Sequence, residues 1–291
     1  MKAAPFDYHA AQTTEEAVAL LADLGDEARV LAGGQSLIPM LALRLAVFEH
    51  LVDVGRIDAL QGIEPRHGVV RIMAATTDRA IEHSAVVAGS VPLLARATPL
   101  VGHFQIRNRG TLGGSIAHAD PAAEFPAVAL ALDAEIEALS TRGLRNIAAS
   151  DFFTGLWSTA LAPDELLVAM SFPVWSGRCG FAVEEFARRH GDFAIAGAAV
   201  ALELDGEDRV LRCAIGLMGL GAAPMRAVEV EGHLLGRVVT AQDAEVAGRD
   251  AMDSCADVIS DLNGSVKFRK RVGAVMVKRA LIAAVSDAQC A

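Results

Sequence analysis

Apolar positions near the start of the chain follow a helical period, and the pattern then switches to short runs. Over residues 14–24, Ala17, Val18, Leu20, Leu21 and Leu24 share one face of a 3.6-residue repeat. Thr13 or Thr14 supplies a cap and Glu15 and Glu16 fill the first turn, so a helix is predicted there. A short apolar run over 28–32 predicts a strand, followed by Gly33-Gly34 and a second helical pattern over 36–45. Further strands are predicted over 51–54, 69–74 and 134–140, and helices over 77–87, 92–102 and 122–131. From 105 to 123 the periodicity fades and Gly, Arg and small polar residues dominate.

After Pro173 the order changes. Strands are predicted over 181–186, 198–204 and 213–220, with turn signals at Gly191-Asp192 and Asp205-Gly206. Helices are predicted over 240–252, 255–259 and 268–284. Strands followed by helices suggest an α+β unit, distinct from the alternating first half. The boundary is placed in the 173–180 segment, dividing the chain into 1–175 and 176–291.

Composition narrows the function. Thirty-six acidic residues against 26 Lys+Arg give a net charge of −10, which argues against sequence-independent nucleic-acid binding. With 53% hydrophobic and 21% charged residues, the chain has material for a substantial core. Cys179, Cys213, Cys255 and Cys290 form no CxxC pair, so no iron–sulfur, zinc or other metal site is expected in this chain. The scattered His9, His50, His67, His83 and His233 read as surface or turn residues. No signal peptide is read at the N-terminus, and the apolar runs fall short of the roughly 20 residues of a spanning helix. A cytoplasmic protein is expected, at most peripheral at the inner membrane face.

Two segments carry candidate chemistry. In Leu31-Ala32-Gly33-Gly34-Gln35-Ser36-Leu37, paired glycines end a strand, where backbone N–H groups can converge on an anion. Ser36 can cap the helix that follows or donate to a phosphate oxygen. The segment is neither GxGxxG nor a P-loop. Gln105 to Ala117 holds a second pair, Gly113-Gly114, flanked by Thr111, Leu112 and Ser115 with Arg107 and Arg109 upstream. Two such loops would suit a diphosphate held from both sides, while plain turns stay open on spacing alone. The basic stretch 267–271 reads as an amphipathic helix whose charges face solvent or a partner subunit.

The runs AGGQSLIPMLALRLA (32–46) and IRNRGTLGGSIAHADPAAEFP (106–126) closely resemble the FAD-binding medium subunit of the molybdenum hydroxylases. That family includes aerobic carbon monoxide dehydrogenases and xanthine dehydrogenases. The likeness continues at Asp164-Glu165-Leu166-Leu167, at Arg188-Arg189-His190-Gly191-Asp192-Phe193-Ala194 and from Phe268 to Leu281. The resemblance implies a vanillyl-alcohol-oxidase (PCMH-type) FAD-binding domain of two α/β subdomains, then a smaller α+β C-terminal domain of antiparallel strands and helices.

By position, the resemblance places Leu31, Ala32, Gly33, Gly34, Gln35, Ser36 and Leu37 around the FAD pyrophosphate. Thr111, Leu112, Gly113, Gly114 and Ser115 match the loop at the diphosphate and flavin end. Ser115 stands where xanthine dehydrogenase-like members usually have Asn. Glu124 matches an acidic residue near the sugar-like part of the cofactor, Leu167 a flavin-lining position, and Phe193 an aromatic over the isoalloxazine. Gln35, where carbon monoxide dehydrogenases tend to show His, argues against carbon monoxide as substrate.

The implied function is electron transfer. Substrate oxidation would lie on a large molybdopterin subunit, with electrons passing through a small 2Fe-2S iron–sulfur subunit to FAD in this chain and on to NAD, a quinone or another acceptor. A dimer of heterotrimers is the expected assembly, and no acid–base catalytic residue is expected here. The rival readings are a free-standing flavin oxidase of the same fold and a non-catalytic assembly protein.

Overall fold

Thr13 opens the first helix, Thr14–Leu24, by accepting the Glu16 N–H at 3.1 Å, and Gly25 ends it at φ +56°. In the computed structural model, which describes residues 2–255 and 257–291, that helix packs on a parallel sheet. The sheet consists of β1 (Asp7–Ala10), β2 (Ala28–Leu31) and β3 (His50–Asp53) in the order β1-β3-β2. Val18 and Leu21 of the helix meet Val52, Val54 and Ile57 in one hydrophobic cluster.

The second sheet is antiparallel. It contains β4 (Ile63–Arg66), β5 (Val69–Met73), β6 (Glu135–Ser140) and β7 (Gly143–Ala148). After a small hairpin of β8 (Phe153–Gly155) and β9 (Ser158–Thr159), β10 (Leu166–Pro173) enters its centre, giving the order β4-β5-β10-β6-β7. A third sheet, β11 (Arg178–Phe186), β12 (Ala196–Leu204), β13 (Val210–Met218) and β14 (Met225–Arg226), is antiparallel in chain order.

β12 is buried on both faces. Ala199 and Ala201 join the cluster of the second sheet and the Glu124–Ala131 helix, while Ala198, Val200 and Leu202 join that of the C-terminal helices. Small residues bring those helices close. A Cβ on Gly180 would lie 1.9 Å from the Ala284 carbonyl oxygen, and one on Gly216 2.1 Å from that of Ala127.

Several elements depart from the sequence reading. The helix expected over 77–87 is two, Asp78–Glu82 and Ala85–Ser90, because Ser84 caps the second by accepting the Val87 N–H. The helix expected over 255–259 does not form at 255 and 257–259, which are irregular; residue 256 lies outside the described residues. Strands β1, β4, β7 and β10 and the helices Phe104–Arg107, Leu112–His118 and Val228–Leu234 were not anticipated. The last helix runs longer than expected, Val266–Gln289, and its Arg269 is buried rather than solvated.

Candidate functional site

The two glycine loops meet. A Cβ on Gly33 would lie 2.0 Å from the Arg109 carbonyl oxygen, and one on Gly114 3.7 Å from the Ala32 Cβ. Only glycine permits the first approach. The loops nevertheless differ in what they leave free. In the second loop the donors are spent within the chain. Leu112 N–H donates to Thr76 O at 3.1 Å, Gly113 N–H to Ala74 O at 2.9 Å and Ser115 N–H to Thr111 O at 3.0 Å. Gly114 N–H donates to Thr111 Oγ1 at 3.1 Å, so Thr111 caps the Leu112–His118 helix. Gly113 is a packing glycine, since a Cβ there would stand 2.6 Å from the Ala74 Cβ.

In the first loop, among the described residues, the N–H groups of residues 33–37 find no acceptor in the chain. Gly34 has φ +72°, and the Gln35 side chain donates to Gly33 O at 2.9 Å, fixing the loop. Ser36 makes no side-chain capping bond to the Leu37–Leu43 helix. Two anion-ready loops were expected; among the described residues the backbone donors of 33–37 are free, while those of 112–115 are spent within the chain. The first loop follows the carboxyl end of parallel strand β2, where open parallel sheets present ligand crevices. A cleft of about 500 Å³ opens there, lined by Leu31 to Gln35 with Tyr8, Ile38, Pro39, Asp53 and Arg109.

Three acids gather behind the second loop, Asp78 and Glu124 buried and Glu185 partly so. Asp78, only 2% exposed, donates its N–H to Gly110 O at 2.9 Å, and its Oδ1 has no partner among the described residues. Its carboxyl is pushed up to about 7, by burial first, with Arg107 opposing and Glu82 adding. Arg107 is committed elsewhere, donating to Glu82 at 2.8 and 3.1 Å. Glu124, 5% exposed at the head of its helix, is pushed up to about 8 by burial, then by the charge of Glu185, with Asp78 and Asp120 adding. Burial pushes Glu185 to about 7, and its Oε2 is also unpartnered.

The other expected site residues are dispersed. Leu167 is buried on β10, paired with Ala138 of β6. Phe193 is 57% exposed in the turn before β12. That turn reaches the second loop's approach, because a Cβ on Gly191 would lie 2.8 Å from the His103 ring. His118, at the far end of the Leu112–His118 helix, stacks on Trp157 at 6.3 Å, and burial lowers its pKa. Sequence reasoning missed Tyr8, Asp53, Asp78 and Glu185 altogether. It also missed that Glu27, Glu49 and His50, two of them exposed, bring ligand atoms within 4.8 Å of one another at the opposite end of β2 and β3.

Comparison with known proteins gives this geometry its context. Residues 4–175 match the family model described as FAD binding domain in molybdopterin dehydrogenase, and residues 181–284 match CO dehydrogenase flavoprotein C-terminal domain. The chain belongs to this family. It is 38% identical to the 6-hydroxypseudooxynicotine dehydrogenase complex subunit alpha of Paenarthrobacter nicotinovorans, covering 99% of this chain and 97% of the relative. It is also 38% identical to the carbon monoxide dehydrogenase medium chain of Hydrogenophaga pseudoflava, over 96% of both. The structure of carbon monoxide dehydrogenase from Hydrogenophaga pseudoflava lacking the Mo-pyranopterin moiety superposes with a TM-score of 0.95, covering 99% of each chain at 38% identity.

The family and fold implied by the two glycine runs are therefore borne out. The chain is the flavoprotein component of an oxidoreductase, carries the family's FAD-binding domain, and belongs with partner subunits in a multi-subunit enzyme. Among the described residues no helix is long and apolar enough to cross a membrane.

Proposed function

We propose that this chain is the electron-transfer subunit of a heterotrimeric molybdenum hydroxylase. It takes electrons from an iron–sulfur subunit and passes them to an external acceptor, whether NAD, a quinone or another. The observation that carries the reading is the row of backbone donors at residues 33–37, uncommitted among the described residues, of which Gly33, Gly34 and Gln35 line the cleft. A diphosphate fits such donors, because it offers only acceptors and negative charge. When bound, FAD supplies one- and two-electron chemistry in one group. The chain's own task is to hold that group and control its surroundings. Leu31 to Leu37 hold the diphosphate; Thr111 to Ser115 and Glu124 border the sugar and flavin end; Leu167 and Phe193 shield the ring. None of these residues is assigned a proton-transfer step. The cysteines support electron entry across an interface: Cys179, Cys213 and Cys255 lie buried, Cys290 is exposed, and no two form a CxxC pair. We further propose a dimer of heterotrimers in the cytoplasm.

The test is co-expression with the small and large subunits. The expected complex contains FAD and 2Fe-2S centres, and denaturation releases the flavin. A folded chain that neither carries nor binds FAD would overturn the reading, and flavin left on the denatured polypeptide would point to a free-standing oxidase.

A further inference from the structure

We propose that Glu27, Glu49 and His50 form a zinc site at the amino end of the parallel sheet, with His9 holding the His50 ring. Cysteine spacing carries no hint of such a site, because its donors are imidazole and carboxylate from separate segments. It lies at the end of β2 and β3 opposite the first glycine loop and is independent of the flavin reading.

The sheet register builds the cluster. His50 opens the central strand and pairs with Asp7 of β1 on one side and Ala28 of β2 on the other. Just ahead of the strands, Glu49 N–H donates to Glu27 O at 3.1 Å, and Asp7 N–H donates to Glu49 O at 2.8 Å. The backbones of both glutamates are thus fixed, while their side chains stay exposed and free to close on an ion. Ligand atoms of Glu27, Glu49 and His50 already lie within 4.8 Å of one another. A tetrahedral zinc with bonds of about 2.0–2.1 Å sets its ligand atoms about 3.3 Å apart, a closure that glutamate side-chain rotation supplies. The His50 side chain is only 17% exposed, and its Nδ1 lies 3.2 Å from His9 Nε2 and 3.7 Å from Asp7 Oδ2. Such outer partners fix the orientation of a metal-binding imidazole.

Charge points the same way. Among the described residues, no lysine or arginine forms an ion pair with Glu27, Glu49 or Asp7; the imidazole of His50 is the one basic group beside Asp7. The Thr14–Leu24 helix ends just before Glu27 with no basic residue in its last turn, so the negative end of its dipole adds to the acids. A bound cation would relieve that crowding. Nitrogen mixed with oxygen selects zinc over magnesium or calcium, which take all-oxygen sets. Zinc has no redox chemistry, so the ion's work is structural: it ties the start of β2 to the start of β3.

The experiment titrates the untagged full-length chain, first stripped with a chelator, with zinc chloride by calorimetry and follows its melting temperature. One zinc per chain is expected, with a higher melting temperature and no displacement by excess magnesium. Glu27→Gln and Glu49→Gln change exposed side chains without changing their shape, and each is expected to weaken zinc about tenfold or more. His50→Ala should abolish both the binding and the thermal rise. His9→Ala should weaken zinc about tenfold, through loss of the ring's tether. Cys290→Ser and His67→Ala remove exposed donors elsewhere and should alter neither readout. Full zinc affinity in both Glu49→Gln and His50→Ala, zinc binding lost with Cys290→Ser, or magnesium that competes on equal terms would overturn the assignment.

Discussion

The carbonyl oxygen of Arg109 stands 2.0 Å from where a side chain on Gly33 would begin. No atom can be added there without parting the two loops. Gly33→Ala is therefore expected to lower flavin occupancy sharply and to cost about 1–3 kcal/mol of stability. The flavin-to-protein ratio and the urea midpoint of the purified variant check this together. Full occupancy at an unchanged midpoint would refute it.

The acids behind the second loop predict a pH dependence. Asp78 and Glu185, pushed to about 7, and Glu124, pushed to about 8, hold protons when folded that they release when unfolded near pH 4 to 4.5. Across that window the folded chain binds more protons, so stability falls as pH rises and levels off above about 8. Each of the three adds a slope of at most about 1.4 kcal/mol per pH unit. Glu82 and Glu165 act in the opposite sense, because hydrogen bonds from Arg107 and Arg145 hold their carboxyls below the usual range. Their stabilisation is lost as pH falls below about 4.5. Melting temperatures of the deflavinated chain should accordingly peak near pH 5 and decline toward pH 8. Glu185→Gln should make that decline shallower.

Arg269 ties three segments together. It is 3% exposed and donates to Ile195 O at 2.6 Å, to Gly219 O and to Asp261 Oδ1 at 2.6 Å. Arg269→Ala leaves those acceptors unpaired, and a loss of about 3–5 kcal/mol in denaturant unfolding is expected. Arg269→Lys should recover only part, since one ammonium cannot reproduce the fork.

Thiol chemistry offers a check on packing. Burial pushes Cys179 up to about 11 and raises Cys213 and Cys255, whereas Cys290 is solvent-exposed. One thiol should react rapidly with a disulfide reagent at pH 8 in the native chain, and four in guanidinium. Two or more fast thiols in the native state would contradict the packing.

Helix Thr14–Leu24 was legible because a cap, acidic first-turn residues and a clean apolar stripe agree. Strand β10 was not. Its LLVAMSFP is nearly all buried, so it lacks the alternation that marks a half-exposed strand. β7 failed for the opposite reason, since four of its first five residues are exposed. Helix Leu112–His118 was hidden by its glycines and serine, and forms because Thr111 caps it and Ala74 and Thr76 accept its first N–H groups.

At the site, the glycine pairs announced themselves, but which loop kept its donors depended on acceptors just past the end of β5, remote in sequence. Nothing in the sequence singled out Asp78 and Glu185, because how far an acid is covered is a property of tertiary packing. Arg269 was misplaced for the same reason.

The position of β10 has a consequence for biosynthesis. It lies between β5 and β6, although nearly a hundred residues of chain separate the first of these from it. As the polypeptide leaves the ribosome, β4 and β5 can form their hairpin, but β5 must wait with one edge unpaired until residues 166–173 emerge. The Ala74 carbonyl that receives the Gly113 N–H directly follows that waiting edge, and Ala74 N–H itself donates to Val168 O. The second glycine loop is thus anchored late, and a nascent chain halted before β10 would expose a sticky strand instead of an anchored loop.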